Sequence, residues 1–234
     1  MKWLKFLIAL LLTPLIAAQL WTLNDLFLIW APTSEWRTLW FGSFCGGFSL
    51  LILLFFTLPK TLWVYVLGHE LTHAWAVYLS GGKVFDFRVT SEGGHIKSDV
   101  INWFIALSPY FIPLYTLIWT MLWISIDFYT PLDPYTWLFY AGLGFTWAFH
   151  LCFTIQMILY GQSDLRSQGT FFSLIVILGI NLILIFASLV LVSPTIQFLP
   201  MIKTFGAHSL HCYQQVALWI FEGARWVIEQ IQKN

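Results

Sequence analysis

The stretch Val64–Gly82, "VYVLGHELTHAWAVYLSGG", sets His69, Glu70 and His73 inside an otherwise apolar run. At membrane depth an uncompensated ionisable side chain costs about 3 kcal/mol or more. Such a segment needs a reason to keep three of them. On a helix, residues i and i+4 face the same way, one turn apart. His69 and His73 can therefore bind one zinc ion between them. Glu70 lies about 100° round the helix, where it can reach a water on the metal without ligating the metal itself. Zinc draws the pKa of that water toward neutrality, and the carboxylate takes its proton. The hydroxide attacks a carbonyl, and Glu70 hands the proton to the leaving amine. The bland alternative is three polar residues hydrogen-bonded within a bundle. Zinc offsets the burial cost better, because it sets a positive charge opposite Glu70.

The chain around this segment is apolar throughout. Of its 234 residues 59% are hydrophobic and 9% charged, with a mean hydropathy of +0.78. A soluble domain carries about 25% charged residues. Lipid is the expected solvent for most of this chain, and a zero net charge points away from a nucleic-acid partner. Cys45, Cys152 and Cys212 lack metal-type spacing and are read as small apolar fillers without a disulfide. A membrane crossing needs about 20 mostly apolar residues. Six stretches qualify: Leu4–Leu23, Leu39–Leu58, Leu62–Ser80, Val100–Ile126, Thr136–Tyr160 and Thr170–Val192. The first, behind Lys2 and Lys5, is read as a retained anchor rather than a signal peptide. Trp21, Trp30, Trp36 and Trp40 cluster near span ends, where indoles favour the interface. Lys and Arg fall almost evenly on the two sides of this topology, so no positive-inside bias orients it.

The longest polar connection is Gly81–Asp99. Phe85, Phe87 and Val89 alternate there with Asp86, Arg88 and Thr90, the period of a half-buried strand. "SEGG" marks a turn and "HIKS" a returning strand, giving a hairpin packed on the bundle. "SPYFIP" sets Pro109 and Pro113 four residues apart, which frees carbonyls and bends a helix. "SPTIQFLP" breaks the chain after the sixth span. From about Ala207 to Ile231 the pattern is amphipathic, as in a helix lying at the interface. His208 and His211 are read as solvated.

Catalytic zinc wants a third protein ligand and an open fourth position. The metzincin offsets carry Ala76 and Leu79, so that class is absent. The candidates for the third ligand are His95, His150 and Asp164. Counting 1.5 Å per residue from the Ser80 end puts His73 about 10 Å deep, His69 about 16 Å and His150 about 15 Å. On that count Asp164 sits near the surface unless its segment folds back.

An apolar chain with HExxH inside a transmembrane helix resembles the site-2-protease family of intramembrane zinc metalloproteases. "GHELTHA" carries the likeness, which covers about Leu62–Phe172. The family implies a third ligand from an aspartate on the second transmembrane helix after HExxH, in an "NPxDG" or "LDG" break. The matching region is "FTIQMILYGQSDLRSQGTFFS". Its acid is Asp164, with Gly161 supplying the break; the family's proline and following glycine have no counterpart. His150 stays as the rival from depth. The resemblance also implies that an edge strand, here Val84, Phe85, Asp86, Phe87, Arg88, Val89 and Thr90, holds an unwound substrate by strand addition.

The expected fold is an all-α polytopic membrane protein. It has about six transmembrane helices, a small β-hairpin after the HExxH helix and a C-terminal amphipathic helix. Residues 1–234 form a single integral membrane domain, with the metalloprotease-like core at about 62–193. The expected activity is zinc-dependent hydrolysis of peptide bonds in membrane-protein or peptide substrates, in or near the bilayer. The location is a multi-pass membrane position, the cell membrane if the source is bacterial. Two rivals use the same residues. One is a surface-sited membrane zinc protease taking Glu222 or Glu229 as third ligand. The other is a non-catalytic membrane protein whose His69, His73 and His150 hold a metal or haem.

Overall fold

The computed structural model describes residues 2–57, 62–90 and 93–233. They fall into two compact units, one spanning Ser34–Thr170 and one combining Met1–Thr33 with Phe171–Asn234. The described residues are mostly helical, with one two-stranded hairpin among them.

In the unit Ser34–Thr170, α2 (Leu39–Thr57) lies along α6 (Thr136–Tyr160). Glycines let the backbones touch. A Cβ on Gly47 would sit 1.9 Å from the Ala141 carbonyl oxygen, and one on Gly144 2.0 Å from that of Phe44. Lipid provides no hydrophobic drive between helices, so close van der Waals contact of this kind holds such pairs. The HExxH segment forms α3 (Leu62–Leu79). Its end is written in "SGG". Gly81 takes φ +75°, and the Gly82 amide returns 2.9 Å to the Val77 carbonyl while that of Gly81 reaches Tyr78. This pairing satisfies carbonyls that the helix end leaves open.

The hairpin follows as β1 (Val84–Val89) and β2 (Gly94–Ser98), antiparallel with Phe87 opposite Ile96 and Val89 opposite Gly94. Ser91 and Glu92 of the expected turn lie outside the described residues. Val84 and Ile96 pack on Ala76, Val77 and Ile105. The pairing register shifts between Val84 and Asp86, and Phe85 and Phe87 stay exposed at 69% and 40%.

The expected span Val100–Ile126 is not one continuous helix. It is α4 (Trp103–Leu107), a tight turn Ser108–Tyr110, and α5 (Leu114–Tyr129), bent by 72°. Pro109 and Pro113 have no amide hydrogen and cannot continue the helical ladder. Asn102 caps α4 by accepting from the Ile105 amide, 2.8 Å. After α6 comes α7 (Ser163–Gln168), which packs on α4.

The other unit contains α1 (Lys2–Trp30), α8 (Thr170–Val192) and α9 (Phe198–Lys233). Leu26, Phe186, Ile196 and Met201 form its core cluster. α9 begins earlier than the amphipathic pattern does, because Pro200 falls in its first turn, where no amide hydrogen is missed. His208 is not solvated as expected. It stacks on Trp21 at 4.2 Å, and its Nε2 lies 3.3 Å from Asp25 Oδ2.

Among the described residues, α1, α2, α6 and α8 are long and apolar enough to cross a membrane, five spans if the bent α4–α5 pair counts as one. α3 is not among them, since two histidines and a glutamate dilute its 18 residues. Gly144→Val should prise α2 from α6 and lower the thermal midpoint of detergent-solubilised protein by several degrees. Gly42, with nothing within 4 Å of an added Cβ, should accept alanine with no loss. Equal midpoints for the two variants would refute this account of the pair.

Candidate metal centre

His69 and His73 project from one face of α3, as their spacing requires. Their Nε2 atoms lie 3.1 Å apart. Asp164 Oδ2 lies 3.4 Å from the first and 3.6 Å from the second. Four-coordinate zinc, with ligands about 2.0–2.1 Å away, spaces its donors about 3.3 Å apart. The observed triangle has that size. Two imidazoles and a carboxylate are also a donor set that zinc uses in catalytic sites.

The rings are fixed from behind. His73 Nδ1 donates to the Ile105 carbonyl, 2.7 Å. A carbonyl only accepts, so Nδ1 carries the proton and Nε2 turns a lone pair inward. The helix break makes that carbonyl available. Its partner in a continuous helix would be the amide of residue 109, which is proline. Ser108 Oγ also donates to Ile105 O, at 3.0 Å. His69 Nδ1 lies 2.8 Å from the Tyr65 hydroxyl, one turn back on α3. Outer partners of this kind orient metal-binding imidazoles and set their tautomer.

Asp164 reaches the histidines because α6 stops at Gly161, which adopts φ +69° and ψ +55°. The chain turns there into α7, whose Leu165 is buried, and Asp164 stands in its first turn. Tyr110, fully buried in the turn between α4 and α5, donates its hydroxyl to Asp164 Oδ2 at 3.2 Å.

Glu70 is 6% exposed and lies against the hairpin; a Cβ on Gly94 would come 2.6 Å from its Cγ. The other residues singled out by sequence lie elsewhere. His150 is buried on α6 and lines a small cavity beside His69, outside the converging group of three. His95 pairs across the hairpin with Asp86 at 3.2 Å. Hydrogen bonds from His95, then from Lys97, hold the Asp86 carboxyl below its ordinary range. Val84, Phe85, Phe87, Arg88 and Val89 form β1 with Asp86, and Thr90 follows it. Glu222 and Glu229 are exposed on α9, the latter accepting from Arg225 Nε at 3.0 Å. Tyr65, Tyr110 and the Ile105 carbonyl escape a sequence reading. Tyr65 alone had a signal, four residues before His69.

No family model, curated protein or solved structure matches the chain.

Asp164→Ala should weaken zinc binding at least tenfold, as followed by calorimetric titration in detergent, while His150→Gln leaves it within twofold. Pro109→Ala, which offers Ile105 a competing amide, should cost about tenfold in affinity, the lower end for lost outer-shell partners. Equal affinities across all three variants would dismiss the centre.

Proposed function

We propose that this chain is an integral, multi-pass membrane zinc metalloprotease of the site-2-protease kind. It hydrolyses peptide bonds of membrane-protein or peptide substrates in or near the bilayer. The observation that carries the reading is the donor triangle of His69, His73 and Asp164, edged 3.1, 3.4 and 3.6 Å, with Glu70 beside it in sequence. The helices long and apolar enough to span support the membrane setting. Counting α3 and the bent α4–α5 pair as crossings gives the six expected spans.

His69, His73 and Asp164 would hold the zinc. Bound there, the ion supplies Lewis acidity, polarising a carbonyl and easing the loss of a proton from water. Tyr65 and the Ile105 carbonyl keep the two imidazoles aimed, and Tyr110 keeps the carboxylate turned toward them. Glu70 accepts a proton from the attacking water as its oxygen bonds to the carbonyl carbon. The same carboxyl returns that proton to the departing nitrogen as the C–N bond breaks, leaving a new carboxyl and a new amine. Among the described residues β1 pairs with β2 alone, so one edge of Val84–Val89 has no strand beside it. An extended substrate can add there, exposing carbonyls that a helix keeps in its own ladder.

Glu70→Gln should keep zinc at wild-type stoichiometry and slow cleavage of a single-span substrate by about 10²–10⁴-fold. Both quantities are measured on one preparation, by elemental analysis and by mass spectrometry of products. Wild-type cleavage by this variant would remove Glu70 as the base.

A further inference from the structure

α3 presents two faces on either side of the metal centre. Val66 and Glu70 lie against Gly94 of the hairpin. Tyr65, His69 and Thr72 face a cavity whose other walls include Thr146, Phe149 and His150 of α6. Of the two imidazoles, that of His69 belongs to the cavity wall as well as to the donor triangle. A peptide lying over them with its backbone toward Glu70 has a side chain on the cavity side.

The cavity has room for about two water-sized occupants. That space matches a methyl or hydroxymethyl group, and the branched end of leucine or a phenyl ring exceeds it. Phe149 closes one wall, and its ring packs on Tyr115 and Phe153. The Thr146 hydroxyl donates to the Gly142 carbonyl at 2.9 Å. Its oxygen keeps a lone pair for an incoming hydroxyl. Small residues serve the reaction in a second way, since glycine and serine weaken a substrate helix and ease its unwinding.

We infer that this cavity is the subsite for the side chain next to the scissile bond, and that it confines cleavage to bonds flanked by glycine, alanine or serine. The inference rests on the proteolytic reading above. Its test uses full-length protein in detergent and a single-span substrate set. One position beside the cleaved bond is varied through Gly, Ala, Ser, Leu and Phe, with products identified by mass. Wild type should favour the small residues at least tenfold in kcat/KM. Phe149→Ala should shift that preference toward leucine. Thr146→Leu, which fills the cavity, should slow the alanine substrate at least tenfold with zinc content unchanged. Should Phe149→Ala not fold, the filling variant decides. Cleavage indifferent to residue size, or a profile that neither variant moves, overturns the subsite and leaves the protease standing. A wild type that cuts nothing in the set overturns both.

Discussion

Three electron-rich atoms converge in an apolar chain, two imidazole nitrogens and one carboxylate oxygen. Three such atoms within 3.1–3.6 Å of one another need positive charge among them, as a shared proton or as a cation. A divalent cation would meet that need and would also offset the cost of burying ionisable groups away from water. Four features of the unit Ser34–Thr170 surround this convergence. Tyr65 and Ile105 hold the rings, Tyr110 holds the carboxylate, and Gly94 brings the hairpin close to Glu70.

Two interruptions of helical structure make it possible. An unbroken helix satisfies its own carbonyls and has none to spare for a histidine. Pro109 withholds one amide, and the Ile105 carbonyl turns to His73 instead. Gly161 reverses the chain after α6, and Asp164 comes back toward α3. At membrane depth, backbone out of its ladder is tolerated where protein or a water-filled cavity receives it. Here the freed groups are received by the site's own side chains.

Much of this was legible in the residues. The helical period alone places His69 and His73 together with Glu70 alongside. The glycines after Leu79 announce the end of α3, and the turn signals after Thr90 announce a hairpin. The failures share one cause, which is tertiary contact. Depth counting on straight spans favoured His150 and left Asp164 near a surface, because it could not foresee how far α7 turns back to pack on α4. The alternation in β1 marks a half-buried strand but not which face turns in: Val84 packs on α3, while Phe85 and Phe87 stay exposed. His208 had no local partner in sequence; its partners Trp21 and Asp25 come from α1, nearly two hundred residues earlier.

X-ray absorption at the zinc edge of the purified, detergent-solubilised protein addresses the central claim most directly. Two imidazole nitrogens and carboxylate oxygen at about 2.0–2.2 Å, with no sulfur shell, is the predicted spectrum. Sulfur scattering from the cysteines, or protein that takes up no zinc at all, would contradict it.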